Sequence, residues 1–212
     1  MKTTYEQIWE AALPFQDKRD DAGHAAVTYG FAQKLVSLAG GEPQVIFPAI
    51  ILHDTGWSRL TREERFVIFS PTATRDDELA VRYRHQEEGV AIARKILGDL
   101  AYPEEWTSEI LEIISQHDTR DHFISHNEGI VRDADKLWRF SDVGFGADVE
   151  RFEYEPDFLH DKLVGQIPSP MFFYSPTSRE LALEELAARK REYAAGMPVG
   201  TIEASSAGVM SK

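Results

Sequence analysis

Apolar residues recur along most of the chain at helical spacing, and no Val/Ile/Thr alternation is long enough to demand a sheet. Thr3 or Thr4 can cap a short first helix that ends near Pro14. Asp20 and Asp21 can cap a second, from about Ala22 to Ala39, with Val27, Phe31, Leu35 and Leu38 at helical spacing. Gly40-Gly41 stops it, and Pro43 suits the first turn of a third helix through Val45, Ile46, Ile50, Ile51 and Leu52. That helix is apolar nearly all round, which predicts the buried centre of the fold. Residues 56–75, with Gly56, Pro71 and the stretch Phe66-Val67-Ile68-Phe69, lack a period and read as either a lid or a packed loop. Asp76 and Asp77 then cap a long helix to about Leu97, and Pro103 followed by Glu104 and Glu105 opens another to about His117. A further helix carries Ile130 to Phe140. The pattern weakens after Gly144 and Gly146, leaving residues 155–165 open to a helix. Thr177 followed by Glu180 reads as the capping box of a last helix to about Ala195. The expectation is an all-α protein with one domain over residues 1–195 and a flexible Gly/Ser/Ala-rich tail over 196–212.

The length of 212 residues agrees with one domain able to bury a good core. Acidic residues outnumber basic ones, 36 to 23, for a net charge of −13. With no cluster of basic residues, this argues against nucleic acid and anionic membranes as partners. Cysteine is absent, which excludes disulfides, thiolate zinc sites, Fe–S clusters and a Cys nucleophile. The segment MKTTYEQIWEAALPF lacks the apolar core of a secretory leader, and no apolar run is long enough to span a bilayer, so the expected location is the cytoplasm.

Histidine and aspartate carry the candidate chemistry. His24 lies early in the second helix, His53-Asp54 ends the buried third, His85 sits inside the long helix and His117 ends the next. Asp135 lies in Arg132-Asp133-Ala134-Asp135-Lys136-Leu137-Trp138. The order is H…HD…H…H…D, drawn from five helices. The His-Asp dipeptide alone says little, because it occurs three times, at 53, 117 and 160. Context says more: His53-Asp54 directly follows the apolar Phe47–Leu52, where a charged carboxylate costs several kcal/mol unless paired or metal-bound.

These residues give the chain a resemblance to the HD-domain superfamily of metal-dependent phosphohydrolases over about residues 15–145. The resemblance rests on the early His24, on Leu52-His53-Asp54-Thr55-Gly56 and on Ala134-Asp135-Lys136-Leu137. It implies an HD-type helical bundle, here with a C-terminal helical extension. His85 in Arg84-His85-Gln86-Glu87-Glu88-Gly89 and His117 in Ile113-Ile114-Ser115-Gln116-His117 match the extra histidines of dinuclear members. The implied ligand set is His24, His53, Asp54, His85, His117 and Asp135. Four imidazoles and two carboxylates suit two divalent transition metal ions, Fe, Mn, Co or Zn, with Fe favoured. Asp54 is the expected bridge and catalytic carboxylate. The implied reaction is hydrolysis of a small phosphate ester or nucleotide, with a hydroxide bridging the ions as nucleophile.

The substrate side departs from the better-known branches. His117 is not followed by the Gly-Tyr-Pro of the cyclic-di-GMP phosphodiesterases, and the Glu-Asp pair of the alarmone hydrolases is missing. The chain is too short for the dNTP triphosphohydrolases. Arg19, Arg59, Arg120 and Lys136 are nominated as substrate contacts because each lies within a few residues of a ligand. His122 and His126 are open as residues of the site mouth, and Trp57 and Trp138 are read as packing beside ligands. Two rival functions share the ligand set: a diiron oxygenase of the myo-inositol oxygenase type, and a non-enzymatic metal-bound sensor. The oligomeric state is left open.

Overall fold

The computed structural model describes residues 2–19 and 21–196; Asp20, one of the two capping residues expected for the second helix, and the expected tail from residue 197 lie outside them. Ten α-helices are present among these residues, and no strand: α1 (Thr4–Ala12), α2 (His24–Ala39), α3 (Pro43–Leu52), α4 (Arg62–Phe66), α5 (Arg75–Asp99), α6 (Glu104–Gln116), α7 (His126–Leu137), α8 (Asp142–Phe152), α9 (Pro156–Gln166) and α10 (Pro176–Ala194). None of them is long and apolar enough to cross a membrane.

The apolar α3 is the axis of the molecule, as its pattern predicts. Val45, Ile46, Ala49, Ile50, Ile51 and Leu52 are all buried, and α1, α2, α6 and α7 pack around them. Pro48 lies inside this helix and has no N–H to offer the carbonyl of Gln44 four residues back. The hydroxyl of Tyr102 donates to that carbonyl instead, at 2.7 Å. A part-buried acceptor that the proline would orphan is thereby satisfied by a side chain from beyond α5.

Helix starts use caps close to those expected, often shifted by a residue or two. At α1 the cap is Thr3, in a capping box with Glu6. At α2 it is not Asp21, and the helix begins at His24, two residues after the expected Ala22. The chain turns at Gly23, whose φ of 85° favours glycine, and the Asp17 carboxylate accepts from the N–H groups of Gly23 and Ala25. Asp21 instead accepts from the Arg19 N–H. Thr74, with Asp77 as its box partner, caps α5. For α10 the cap is Ser175, which accepts from the Thr177 N–H, so Thr177 receives the cap and does not supply it. The buried Asp133 of α7 accepts from the N–H groups of Tyr174 and Ser175, at 2.8 Å each, and ties the start of α10 to α7. This C-terminal helix also packs on α2 and α9.

Residues 56–75 are more structured than their pattern suggests. A 3₁₀ turn over Thr55–Arg59 buries Gly56 and Trp57 against α5; α4 and a second 3₁₀ turn, Val67–Phe69, follow. Helix α8 has no counterpart in the sequence reading, because its two glycines, Gly144 and Gly146, mask the helical period. Both are buried; Gly144 lies so close to Trp138 that a Cβ would sit 2.0 Å from that residue's carbonyl oxygen.

Candidate metal centre

The six His and Asp residues of the H…HD…H…H…D order come together from α2, α3, α5, α6 and α7. Two of them are built by the same local device. His53 and His117 are the residues that end α3 and α6. There the last carbonyls lack helical partners. The Nδ1 of His53 lies 2.8 Å from the Ile50 carbonyl, and that of His117 lies 2.9 Å from the Ile114 carbonyl. An N–H at Nδ1 donates to each carbonyl, which fixes the ring and turns Nε2 into the interior. His24 opens α2, and His85 sits mid-way along α5, fully buried.

Asp54 divides the cluster. Its Oδ2 faces His24 Nε2 at 3.4 Å and His53 Nε2 at 3.6 Å. Its Oδ1 faces His117 Nε2 at 3.4 Å and His85 Nε2 at 3.7 Å. The imidazoles within each pair approach to 3.2 Å (His24 and His53) and 3.3 Å (His85 and His117). Asp135 Oδ1 joins the first pair at 3.3 Å from both nitrogens. Donors bonded to one ion at about 2.1 Å stand about 3.0–3.4 Å apart. The spacings here fall close to that range, so His24, His53 and Asp54, and likewise Asp54, His85 and His117, are each able to hold a metal ion.

Trp57 supports the His85/His117 half. Its ring stacks on His85 with centroids 4.0 Å apart, and its Nε1–H donates to Asp54 Oδ1 at 3.0 Å. Trp138 lies 5.1 Å from the His24 ring. The packing role read for both tryptophans matches these contacts, and Trp57 adds a hydrogen bond that orients Asp54.

The electrostatics are those of a cluster of opposite charges in a buried place. Burial works against ionisation of Asp54, but Arg19, His53, His117 and His24 outweigh it and hold the carboxyl well below the usual range. Asp135 is likewise held far down by His24 and His53 against its burial. Burial pushes His53 down, yet Asp54 and Asp135 overcome it and raise the imidazole to about 9. His85 goes the other way: burial dominates and lowers it to about 3. The chain without metal therefore holds His53 protonated and His85 neutral at pH 7.

A cavity of about 370 Å³ opens beside the cluster, and His24, Asp54 and Asp135 form part of its wall. Among the nominated substrate contacts, Arg19 and Lys136 line it. Arg19 Nη2 reaches Asp54 Oδ2 at 2.6 Å and Asp21 at 3.2 Å. Lys136 Nζ also donates to the Phe172 carbonyl. Arg59 and Arg120 are not brought to the cavity. Arg59 is exposed, its guanidinium over the Phe15 ring, and Arg120 is buried beside Glu112 and Glu128. Sequence distance misleads here, because both follow the ligand on turns that leave the site. His122 pairs with Asp121, and His126 sits against Tyr174, outside the wall.

The wall also holds residues the sequence reading did not single out: Arg82, Asp118, Arg139, Asp148 and Arg151. Arg82 pairs with Asp118 at 2.8 Å, and Asp118 Oδ2 lies 3.6 Å from His85 Nε2. Gln86, buried beneath, accepts from the Asp118 N–H. Helical spacing carried a signal for two of them: Arg82 lies three residues before His85, and Arg139 four after Asp135, so each tends to the ligand's face.

A helical bundle that gathers His and Asp from five helices around one aspartate defines a metal-binding class of protein. The family model for the HD domain matches residues 22–139, more than half of the chain, and the chain belongs to the HD-domain family, whose superfamily is that of metal-dependent phosphohydrolases. No curated protein and no solved structure matches it.

Proposed function

We propose that the protein is a dinuclear metal-dependent phosphohydrolase acting on a small phosphate ester or nucleotide. The observation that carries this reading is the cluster itself: two imidazole pairs share Asp54 and open on a cavity where Arg19 and Lys136 stand beside the candidate ligands. The wall carries five carboxylates, Asp21, Asp54, Asp118, Asp135 and Asp148, against the five cations Arg19, Arg82, Lys136, Arg139 and Arg151, so two divalent ions at the cluster would supply the excess positive charge that a phosphate needs.

His24, His53 and Asp135 would hold one ion, His85 and His117 the other, and Asp54 one oxygen toward each. When bound, two such ions supply a Lewis-acid pair that acidifies water and neutralises phosphoryl oxygens. Arg19 and Lys136, next to Asp54 and Asp135, orient the phosphate. Burial lowers the Lys136 ammonium from its ordinary value. The bond broken is P–O, the attacking oxygen comes from water, and the alcohol leaves with a proton. Trp57 keeps Asp54 and His85 in register and shields that side from solvent.

The test is phosphate release from a panel of monoesters and nucleotides by protein loaded in turn with Fe, Mn, Co and Zn. Turnover by the wild type, lost in Asp54→Asn, supports the reading. Silence across the panel with every metal overturns it, and oxygen consumption under the same conditions would point to the oxygenase.

A further inference from the structure

The cleft is larger than a phosphate requires. At about 370 Å³ it falls within the range of sites that enclose a small organic ligand, and a phosphate at the cluster leaves much of it unfilled. The wall is not all candidate ligands and their partners. Ile68, Phe69 and Phe152 give it an apolar side, and beside them stand Arg139, Asp148 and Arg151. Phe69 and Phe152 meet edge to face at 5.9 Å, and the Arg151 guanidinium lies over Phe69 at 4.2 Å.

Arg139 is the group of interest. Its Nε and Nη2 both reach Asp148 Oδ2 at 2.7 Å. Asp148 is itself buried, and its other oxygen accepts from Arg151 at 3.2 Å. The guanidinium is thus fixed at its root by a buried carboxylate, and its side chain is still one-third exposed at the cavity wall. A guanidinium has five N–H donors. Two are directed at Asp148, which leaves donors of a pre-oriented fork for an anion in the cleft. An arginine needed only to tie α8 to the turn at Trp138 could lie over the surface and not line a cavity.

We propose that Arg139 forms a second anion subsite, and that the substrate is an organophosphate bearing a second anionic group, a carboxylate or a further phosphate, joined to the first by an apolar spacer that lies along Phe69 and Phe152. This rests on the cleft taking a phosphate at the His/Asp cluster, the reading given above. It makes Arg139 a determinant of specificity, while the chemistry stays at the cluster.

The test uses phosphonates, which bind as phosphates do and are not hydrolysed. Calorimetry on the manganese-loaded full chain would compare propylphosphonate, 3-phosphonopropionate and propane-1,3-bisphosphonate, together with their five-carbon counterparts. The second anion should tighten binding at least tenfold at one spacer length, and whether carboxylate or phosphonate gains more identifies the group. Arg139→Gln should abolish that gain and leave propylphosphonate affinity within a factor of two, while Arg139→Lys, charged but without the fork, should keep a few-fold of it. No gain at any length in the wild type, or a gain untouched by Arg139→Gln, overturns the proposal. Because the readout is binding, a silent phosphate-release panel with the gain intact removes the catalytic reading alone, and turnover without the gain removes the subsite alone.

Discussion

Replacing Gly56 by alanine perturbs the centre while leaving every candidate ligand in the sequence. Gly56 is where the turn after Asp54 meets α5. A Cβ built there would lie 1.8 Å from the His85 carbonyl oxygen and 2.5 Å from the Gly89 nitrogen. Both are backbone atoms of one helix, so no side chain can swing aside, and the turn and α5 must separate by more than about an ångström to reach ordinary contact. Overpacking of this kind costs about 1–3 kcal/mol, and the rigid partners set it at the upper end. A chain of this length loses about 2–4 °C per kcal/mol, which gives a melting temperature lower by about 6–12 °C. The same displacement carries His85 away from Asp54 Oδ1, now 3.7 Å distant, and unstacks it from Trp57. In the other half, His24 and Asp135 lie on α2 and α7, away from the clash, and His53 is held by its own bond to the Ile50 carbonyl of α3. Thermal unfolding and metal analysis of Gly56→Ala should therefore show the lower melting temperature together with loss of one of two ions per chain. A variant that melts within about 1 °C of the wild type and still holds two ions would refute this account of the close approach.

Other expectations follow from the same structure. His85→Ala and His117→Ala should each reduce metal content from two ions to one, and Asp54→Ala should reduce it further, as metal analysis after gel filtration would reveal; unchanged content in all three would count against the shared carboxylate. Tyr102→Phe leaves the Gln44 carbonyl without its donor inside α3 and should cost about 1–3 kcal/mol in urea unfolding, with the helical circular dichroism intact; a neutral result would mean that the carbonyl finds another partner. Stability of the metal-free chain should pass through a maximum near pH 6.5. His53, raised to about 9, contributes stability that is complete below its unfolded value of about 6.5 and lost, to the extent of about 3 kcal/mol, as pH rises through 9. His85, lowered to about 3, costs stability as pH falls below 6.5, because the unfolded state then takes the proton first. Denaturant titrations from pH 5 to 10 check this, and a profile rising steadily to pH 10 would contradict it. Metal binding near pH 7.5 should release protons, since His53 must give up its own to ligate.

The ligand-bearing helices were legible for a physical reason. A chain that ends an apolar helix in His53-Asp54 has to do something with a buried charge, and helical spacing locates His85 and Asp135 on elements that must pack against that end. The clamps on the cluster were less so. Trp57 reads as core, and only its ring over His85 and its bond to Asp54 give it a second task. Arg82, Arg139 and Arg151 look like the solvated charges of any acidic protein; their convergence is a product of how α5, α7 and α8 meet, and α8 itself is hidden by two glycines, of which packing against Trp138 requires Gly144. Proximity in sequence pointed equally to Arg19, Arg59, Arg120 and Lys136, but the turn after Asp54 carries Arg59 outward and the turn after His117 carries Arg120 toward Glu112 and Glu128. Local pattern fixes which residues share a helix face, and leaves the direction of a side chain leaving a turn to tertiary packing.

The central claim is that one aspartate shared between two histidine pairs makes a dinuclear centre. Elemental analysis of the full chain, stripped of metal, reconstituted separately with iron and manganese and freed of excess, tests it most directly. The account predicts two ions per chain, falling below one in Asp54→Ala. One ion per chain in the wild type would contradict the dinuclear centre, and none would contradict the metal site itself.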